Sequence, residues 1–163
     1  MKYLLDANVF IAANNLHYGL DFCPAFWDWL IESNHRKAVY SIEKVGDEID
    51  AGEGQLSQWA QKLGNRFFLD PDAKVLKAMT KVSEQVKSYG YTSAAINDFP
   101  MVADYWLVSH ALAYQLVVVT HEKPADTPNK VKISNICARL NIKVMTPFEM
   151  LRHERARFVL GVA

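Results

Sequence analysis

Lys2-Tyr3-Leu4-Leu5-Asp6 opens the chain, a short apolar run that ends on a carboxylate. It lacks polar alternation, as expected of a strand buried on both faces of a parallel sheet. Ala38 to Ser41, Leu116 to Val119 and Ile142 to Met145 read the same way. Phe67-Phe68-Leu69 adds a brief extended piece, and Lys130-Val131-Lys132 reads as a short edge segment. Stretches of helical length separate these runs. The predicted class is therefore α/β, a sandwich of helices and a sheet with parallel strands. At 163 residues, positions 1–163 read as one domain.

The helical stretches carry their own start signals. Asn8 suits an N-cap for Val9 to Ala12, and Ser41 suits one for Ile42 to Asp50. Pro24 to Ser33 carries an apolar stripe of Phe26, Trp27, Trp29 and Leu30, which belongs either to the core or to a dimer interface. A further helix contains Leu56, Trp59 and Leu63. Asp70-Pro71 opens a long one whose Val75, Leu76, Met79, Val82 and Val86 are read as core-facing. Asp98-Phe99-Pro100 starts an almost wholly apolar helix to Tyr114, with Asp98 as its N-cap. Ser134 to Leu140 and Phe148 to Arg157, the latter capped by Thr146-Pro147, complete the set.

Half the residues are hydrophobic and 22% are charged, enough for a packed core and contrary to disorder. The net charge is zero, so no global basic field attracts nucleic acid. The charge is nevertheless uneven. From Lys123 onward eight Lys/Arg face three Asp/Glu, whereas residues 1 to 122 carry ten against fifteen. Such polarity fits an acidic cleft flanked by a basic tail that grips phosphates, and it fits an ordinary solvated surface equally well. Cys23 and Cys137 have neither metal-ligand nor redox spacing and read as buried thiols. No leader-like segment and no apolar run of about 18 residues is present, so a cytoplasmic protein with no membrane partner is expected.

Four acids occupy positions where carboxylates do chemistry. Asp6 ends the first strand, and the carboxyl ends of strands form the ligand cleft of an open α/β sheet; it could equally start a turn or cap the next helix. Among Glu43, Asp47 and Glu48, helical geometry singles out Glu48, which lies about 90° from the Ile42/Val45/Ile49 face. Glu43 fits the first turn as a dipole partner, and Glu48 could also be a solvated flank residue. Asp104 sits in the first turns of an apolar helix, where the dipole favours it but burial demands a partner. Glu122 follows Val117-Val118-Val119-Thr120-His121, either in the cleft beside the Thr120 hydroxyl or in an exposed turn. His121 points away from Glu122 in an extended strand and reads as structural. No phosphate-binding glycine loop, HExxH, GxSxG or CxxC pair is present.

Tyr3-Leu4-Leu5-Asp6-Ala7-Asn8-Val9-Phe10, Asp47-Glu48-Ile49, Ala103-Asp104 and Val117-Val118-Val119-Thr120-His121-Glu122, in that order, resemble a PIN domain, closest to small prokaryotic PIN-like proteins. The resemblance implies a three-layer α/β/α sandwich with a central mainly parallel sheet, and a cluster of acids binding Mg²⁺ or Mn²⁺ for ribonuclease activity. Many members are toxins of toxin–antitoxin pairs and are often dimeric, so an RNA substrate, a cognate antitoxin and a homodimer are the implied partners. Carried over by position, the catalytic and metal-binding acids are Asp6, Glu48, Asp104 and Glu122, with Asn8 in support. Glu122 departs from the family pattern, which has Asp or Asn one residue beyond the Thr. Lys123, Lys130, Lys132, Arg139, Arg152, Arg155 and Arg157 are candidates for holding the RNA backbone. Two other readings stay open. One is a non-catalytic PIN-like scaffold for RNA or a protein. The other is a haloacid-dehalogenase-like phosphatase with Asp6 as nucleophile, which wants an acid at residue 8, where this chain has Asn8.

Overall fold

A computed structural model describes residues 1–161. In chain order the elements are β1 (Tyr3–Leu5), α1 (Ala7–Ala12) running on into a π-helical turn (Ala13–His17), α2 (Pro24–His35), β2 (Val39–Ile42), α3 (Glu43–Ala51), α4 (Gln55–Leu63), β3 (Phe68–Leu69), α5 (Ala73–Lys87), α6 (Ser93–Asp98), α7 (Ala103–Tyr114), β4 (Val117–Val119), α8 (Ile133–Arg139), β5 (Val144–Met145) and α9 (Pro147–His153). All strand pairs are parallel, in the order β3-β2-β1-β4-β5. Tyr3 in the central strand pairs with Val39 on one side and Val117 on the other. Tyr3, Leu4, Leu5, Val118 and Val119 are fully buried, as unalternating strands between two helical layers must be.

The strand order runs outward from β1 to β3, then returns past β1 to β4 and β5. Right-handed crossovers therefore place α2–α4 on one face and α5–α8 on the other, giving the α/β/α sandwich. Side-chain packing agrees. Phe10, Trp27, Trp59 and Phe67 meet ring to ring under the first layer. Val82, Val86, Leu107, Val108 and Ile136 are buried under the second. Phe26 and Trp27 are inaccessible, so most of the aromatic stripe of α2 is core rather than interface. Gly46 of α3 allows Phe68 to press on the helix, since a Cβ there would lie 3.3 Å from the ring.

Several local expectations yield to tertiary partners. Asn8 lies inside the first turn of α1 rather than capping it, because its amide is engaged across the sheet. Ser41 stays in β2, and its hydroxyl donates to the Leu5 carbonyl at 2.6 Å instead of capping α3. Asp98 ends α6, a helix not anticipated, and Val102 occupies the N-cap position of α7. Leu76 is 55% exposed on α5, where Ala78 is buried instead. Lys130 to Lys132 form no strand, and α9 stops at His153 rather than Arg157. The Thr146 cap is real, a reciprocal capping box with Glu149. Among the described residues no helix is long and apolar enough to cross a membrane.

Candidate active site

The strand order reverses between β1 and β4, and in an open α/β sheet the crevice beyond that reversal is where ligands sit. Asp6 leaves β1 and Thr120 leaves β4 on either side of it, joined by Asp6 N–H donating to the Val119 carbonyl at 3.0 Å. A cavity of about 490 Å³ opens there. Asp6, Glu48, Asp104 and Glu122 all line it, with Asn8 and Lys130. Ile11, Asn15 and Leu16, from α1 and the π-helical turn, form one wall. A second cavity of about 390 Å³ shares Glu48, Asp104 and Lys130, so the groove continues past Phe99 and Val102.

Asp6 is 6% exposed and takes the extended N-cap conformation of α1, yet its side chain does not cap that helix. The carboxylate turns to Thr120 instead, accepting from Oγ1 at 2.7 Å. Thr120, itself buried, accepts from Asn8 Nδ2 at 2.9 Å and from Glu122 N–H at 3.0 Å. Asn8 Oδ1 in turn accepts from His121 N–H at 3.1 Å. The hydroxyl's one donor and two acceptor sites are thus all used, and the network clamps the ends of β1 and β4 together. Thr120→Val keeps the shape and strips three hydrogen bonds, one from the buried Asp6 carboxylate and two from half-buried partners. It is expected to lower stability by about 2–3 kcal/mol in chemical denaturation.

Burial pushes the Asp6 carboxyl up to about 6, against the hydrogen bonds from Thr120 and Ala7, with Glu122 and Glu48 adding repulsion. Asp104, half-buried in the first turn of α7, is also pushed up to about 6 by burial and by the charges of Asp6 and Glu122, while Lys130 and Lys132 oppose the rise. Glu48 projects from the flank of α3 to the cavity mouth, its carboxyl raised by burial and by Asp104. Glu43 and Asp47, set aside on helical geometry, face a different depression beside Gln61 and Phe68.

Glu122 is held rather than free. Its Oε2 lies 3.4 Å from Lys132 Nζ, and its carbonyl accepts from Ser134 Oγ at 3.0 Å. Its Oε1 is buried with no hydrogen-bond partner among the described residues. Of the proposed backbone-gripping cations, Lys130 lines the cavity and Lys132 pairs with Glu122. Arg139 lies over the Tyr89 ring instead. Lys123, Arg152, Arg155 and Arg157 are exposed and outside the cavity lining. The Lys132 pairing and the wall from the π-helical turn carried no sequence signal, because both depend on loop paths. His121 turns from the cavity onto His17 and Phe148, and burial together with His17 holds its pKa below the usual histidine value.

Among the described residues no three His, Cys, Asp or Glu side chains stand close enough to enclose a metal ion as they are. The donor set nonetheless suits a divalent hard cation. Four carboxylates share one cavity, burial and mutual repulsion strain two of them, and a buried carboxylate oxygen lacks any donor. Oxygen-rich, negatively charged surroundings are what Mg²⁺ and Mn²⁺ require.

Two solved structures are similar across almost their whole length. VapBC2 from Rickettsia felis, solved bound to a promoter DNA fragment, matches with TM-score 0.54 and 17% identity over 90% of this chain and 98% of that one. FitAB bound to an IR36 DNA fragment matches with TM-score 0.54 and 18% identity over 90% of this chain and 95% of that one. At this identity the likeness is one of fold, the PIN-like α/β/α sandwich. No curated protein matches in sequence. The model of one sequence family covers residues 3–158, almost the entire sandwich, and the chain accordingly belongs to DUF4411, described as a domain of unknown function.

Proposed function

We propose that this protein is a metal-dependent endoribonuclease that hydrolyses RNA phosphodiesters, acting as the toxin of a toxin–antitoxin pair. The observation that carries the reading is the convergence of Asp6, Glu48, Asp104 and Glu122, from four separate segments, on one cavity at the switch point of a PIN-like sheet. Asp6, Asp104 and Glu48 would hold Mg²⁺ or Mn²⁺, with Glu122 completing the set. A divalent cation bound there activates water and neutralises charge on the phosphate and the leaving oxygen.

The chain's own groups do the rest. Thr120 and Asn8 fix the Asp6 carboxylate, so no reorganisation is needed when phosphate arrives. Lys130, at the junction of the two cavities, offers an ammonium to the RNA backbone. Lys132 orients the Glu122 carboxylate.

A cognate antitoxin and a homodimer belong to the same proposal. Both similar structures are two-component complexes bound to DNA, which supports a protein partner for this chain. The phosphatase reading loses ground because Asn8 is tied through both its amide atoms and cannot serve as the acid/base. The test is cleavage of a defined single-stranded RNA with Mn²⁺, with Mg²⁺ and with excess chelator. Cleavage that persists unchanged under chelation overturns the metal-dependent mechanism. Absence of cleavage, with no Mn²⁺ heat by calorimetry, favours the scaffold.

A further inference from the structure

We propose that His17, His121 and Phe148 form a stacking platform for an unpaired nucleobase beside the acidic cavity, an inference that rests on the nuclease reading and specifies its substrate as single-stranded. The three rings meet pairwise at centroid distances of 5.8 Å for His17–His121, 5.2 Å for His17–Phe148 and 5.7 Å for His121–Phe148. Their interplanar angles are 35°, 80° and 66°, so no pair is stacked in parallel. His17 is exposed, and the other two are partly accessible. A ring cluster serving only the core would be buried like Phe10, Phe67 and Phe68, which also meet pairwise and are each at most 6% exposed.

Position ties the platform to the cavity. The π-helical turn Ala13–His17 contributes Asn15 and Leu16 to the cavity wall and ends on His17. Such turns are rare and concentrate at functional sites. His121 stands between Thr120, which grips Asp6, and Glu122. Both rings are therefore one residue away from groups that line the cavity or hold its acids.

The platform is also held rigid. Asn8 binds the His121 backbone N–H at 3.1 Å, and Phe148 sits in the first turn of α9, inside the Thr146–Glu149 capping box. Preorganised rings lose little freedom when a base settles on them. Every nucleobase has a π-face, so a base next to the scissile phosphate can settle there whatever its identity. Duplex RNA cannot do so, because its base faces are stacked on one another.

The experiment uses the full chain without added metal and a short 2′-O-methyl RNA carrying 2-aminopurine, which binds without being cut and loses fluorescence when stacked. Wild type should quench the probe. His17→Ala and Phe148→Ala should each weaken binding roughly 10-fold and lose most of the quenching, and His17→Trp should restore both. Replacing the exposed His17 should leave the melting temperature within about 2 °C, which separates the platform from a packing role. A wild type that binds without quenching or does not bind, or a His17→Ala protein with unchanged affinity and quenching, overturns the platform. Unaltered RNA cleavage by His17→Ala would discard the platform and leave the nuclease reading intact. Quenching by a wild type that cuts no RNA would discard hydrolysis and keep the platform.

Discussion

Asp6→Asn and Asp104→Asn are each expected to lower Mn²⁺-dependent RNA cleavage by about 10²- to 10³-fold while raising the melting temperature of the metal-free protein. The loss follows from the charge removed. A metal ion at such a site supplies several kcal/mol of transition-state stabilisation, and each 1.36 kcal/mol is about tenfold in rate. The gain in stability follows from the same geometry. Both carboxylates are desolvated, and Asp6, Glu48, Asp104 and Glu122 repel one another across the cavity. An amide of the same shape relieves that repulsion, and at Asp6 it still accepts from the Thr120 hydroxyl. Opposite signs for stability and turnover are the signature of a strained functional site, whereas a structural acid would lose both. Glu43→Gln and Asp47→Asn, on the far side of α3, should leave both quantities unchanged. Single-turnover cleavage and thermal melting on the same preparations provide the measurement. Cleavage undiminished in both Asn variants would remove Asp6 and Asp104 from the mechanism.

The metal-free protein should lose stability as pH rises from about 4 to 7, and Mn²⁺ should return it. Asp6 and Asp104 hold their protons to about 6 in the fold, against an ordinary value of 3.8. Between those two values the folded chain binds more protons than the unfolded chain, so stability falls as pH rises. The advantage is complete below 3.8 and is lost as pH climbs through 6. For one such carboxyl it amounts to about 3 kcal/mol. Because Asp6 and Asp104 repel each other they titrate as a pair, and the total is less than twice that figure. The expected fall in melting temperature is roughly 6–12 °C for one such carboxyl in a chain of this size, and less than twice that for the pair. The carboxyls of Asp50, Asp72, Glu149 and Glu154 are held below their ordinary values and work in the opposite direction, but they titrate at more acid pH. His121, held below the usual histidine value, opposes the fall within the window, one group against the two acids.

A cation requires the ionised carboxylates, so its effect has the reverse pH dependence. At 100 times its dissociation constant Mn²⁺ adds about 2.7 kcal/mol at pH 7.5 and almost nothing at pH 4.5. Thermal melts at the two pH values with and without Mn²⁺ decide the matter. Equal stabilisation at both would mean that the ion binds somewhere other than these acids.

The parts of the site that could be read in the sequence share one property: each is set by its own segment. Asp6 and Glu122 follow unalternating apolar runs, which must be central strands, and strand carboxyl ends face the crevice. Glu48 was separable from Glu43 and Asp47 by helical angle alone, and all three lie where that angle puts them. Asp104 was conspicuous as a charge among apolar neighbours.

What could not be read depends on partners distant in the chain. Asn8 and Ser41 both have the chemistry of helix caps, and a local reading gives them nearby backbone to bind. In the fold the half-buried Asn8 bonds a hydroxyl 112 positions away and the fully buried Ser41 a carbonyl 36 positions away, where an unpaired polar group would cost more than a missing cap. Lys132 reached Glu122, and His17 reached His121 and Phe148, through loops whose paths carry no periodicity. Hydrophobic spacing and helix angle, being local, determined the α/β class and marked the four acids as candidates. Strand order, the closure of one cavity around those acids and the company each polar group keeps were decided only by tertiary packing, because burial makes a polar atom bind whichever partner the fold brings within reach.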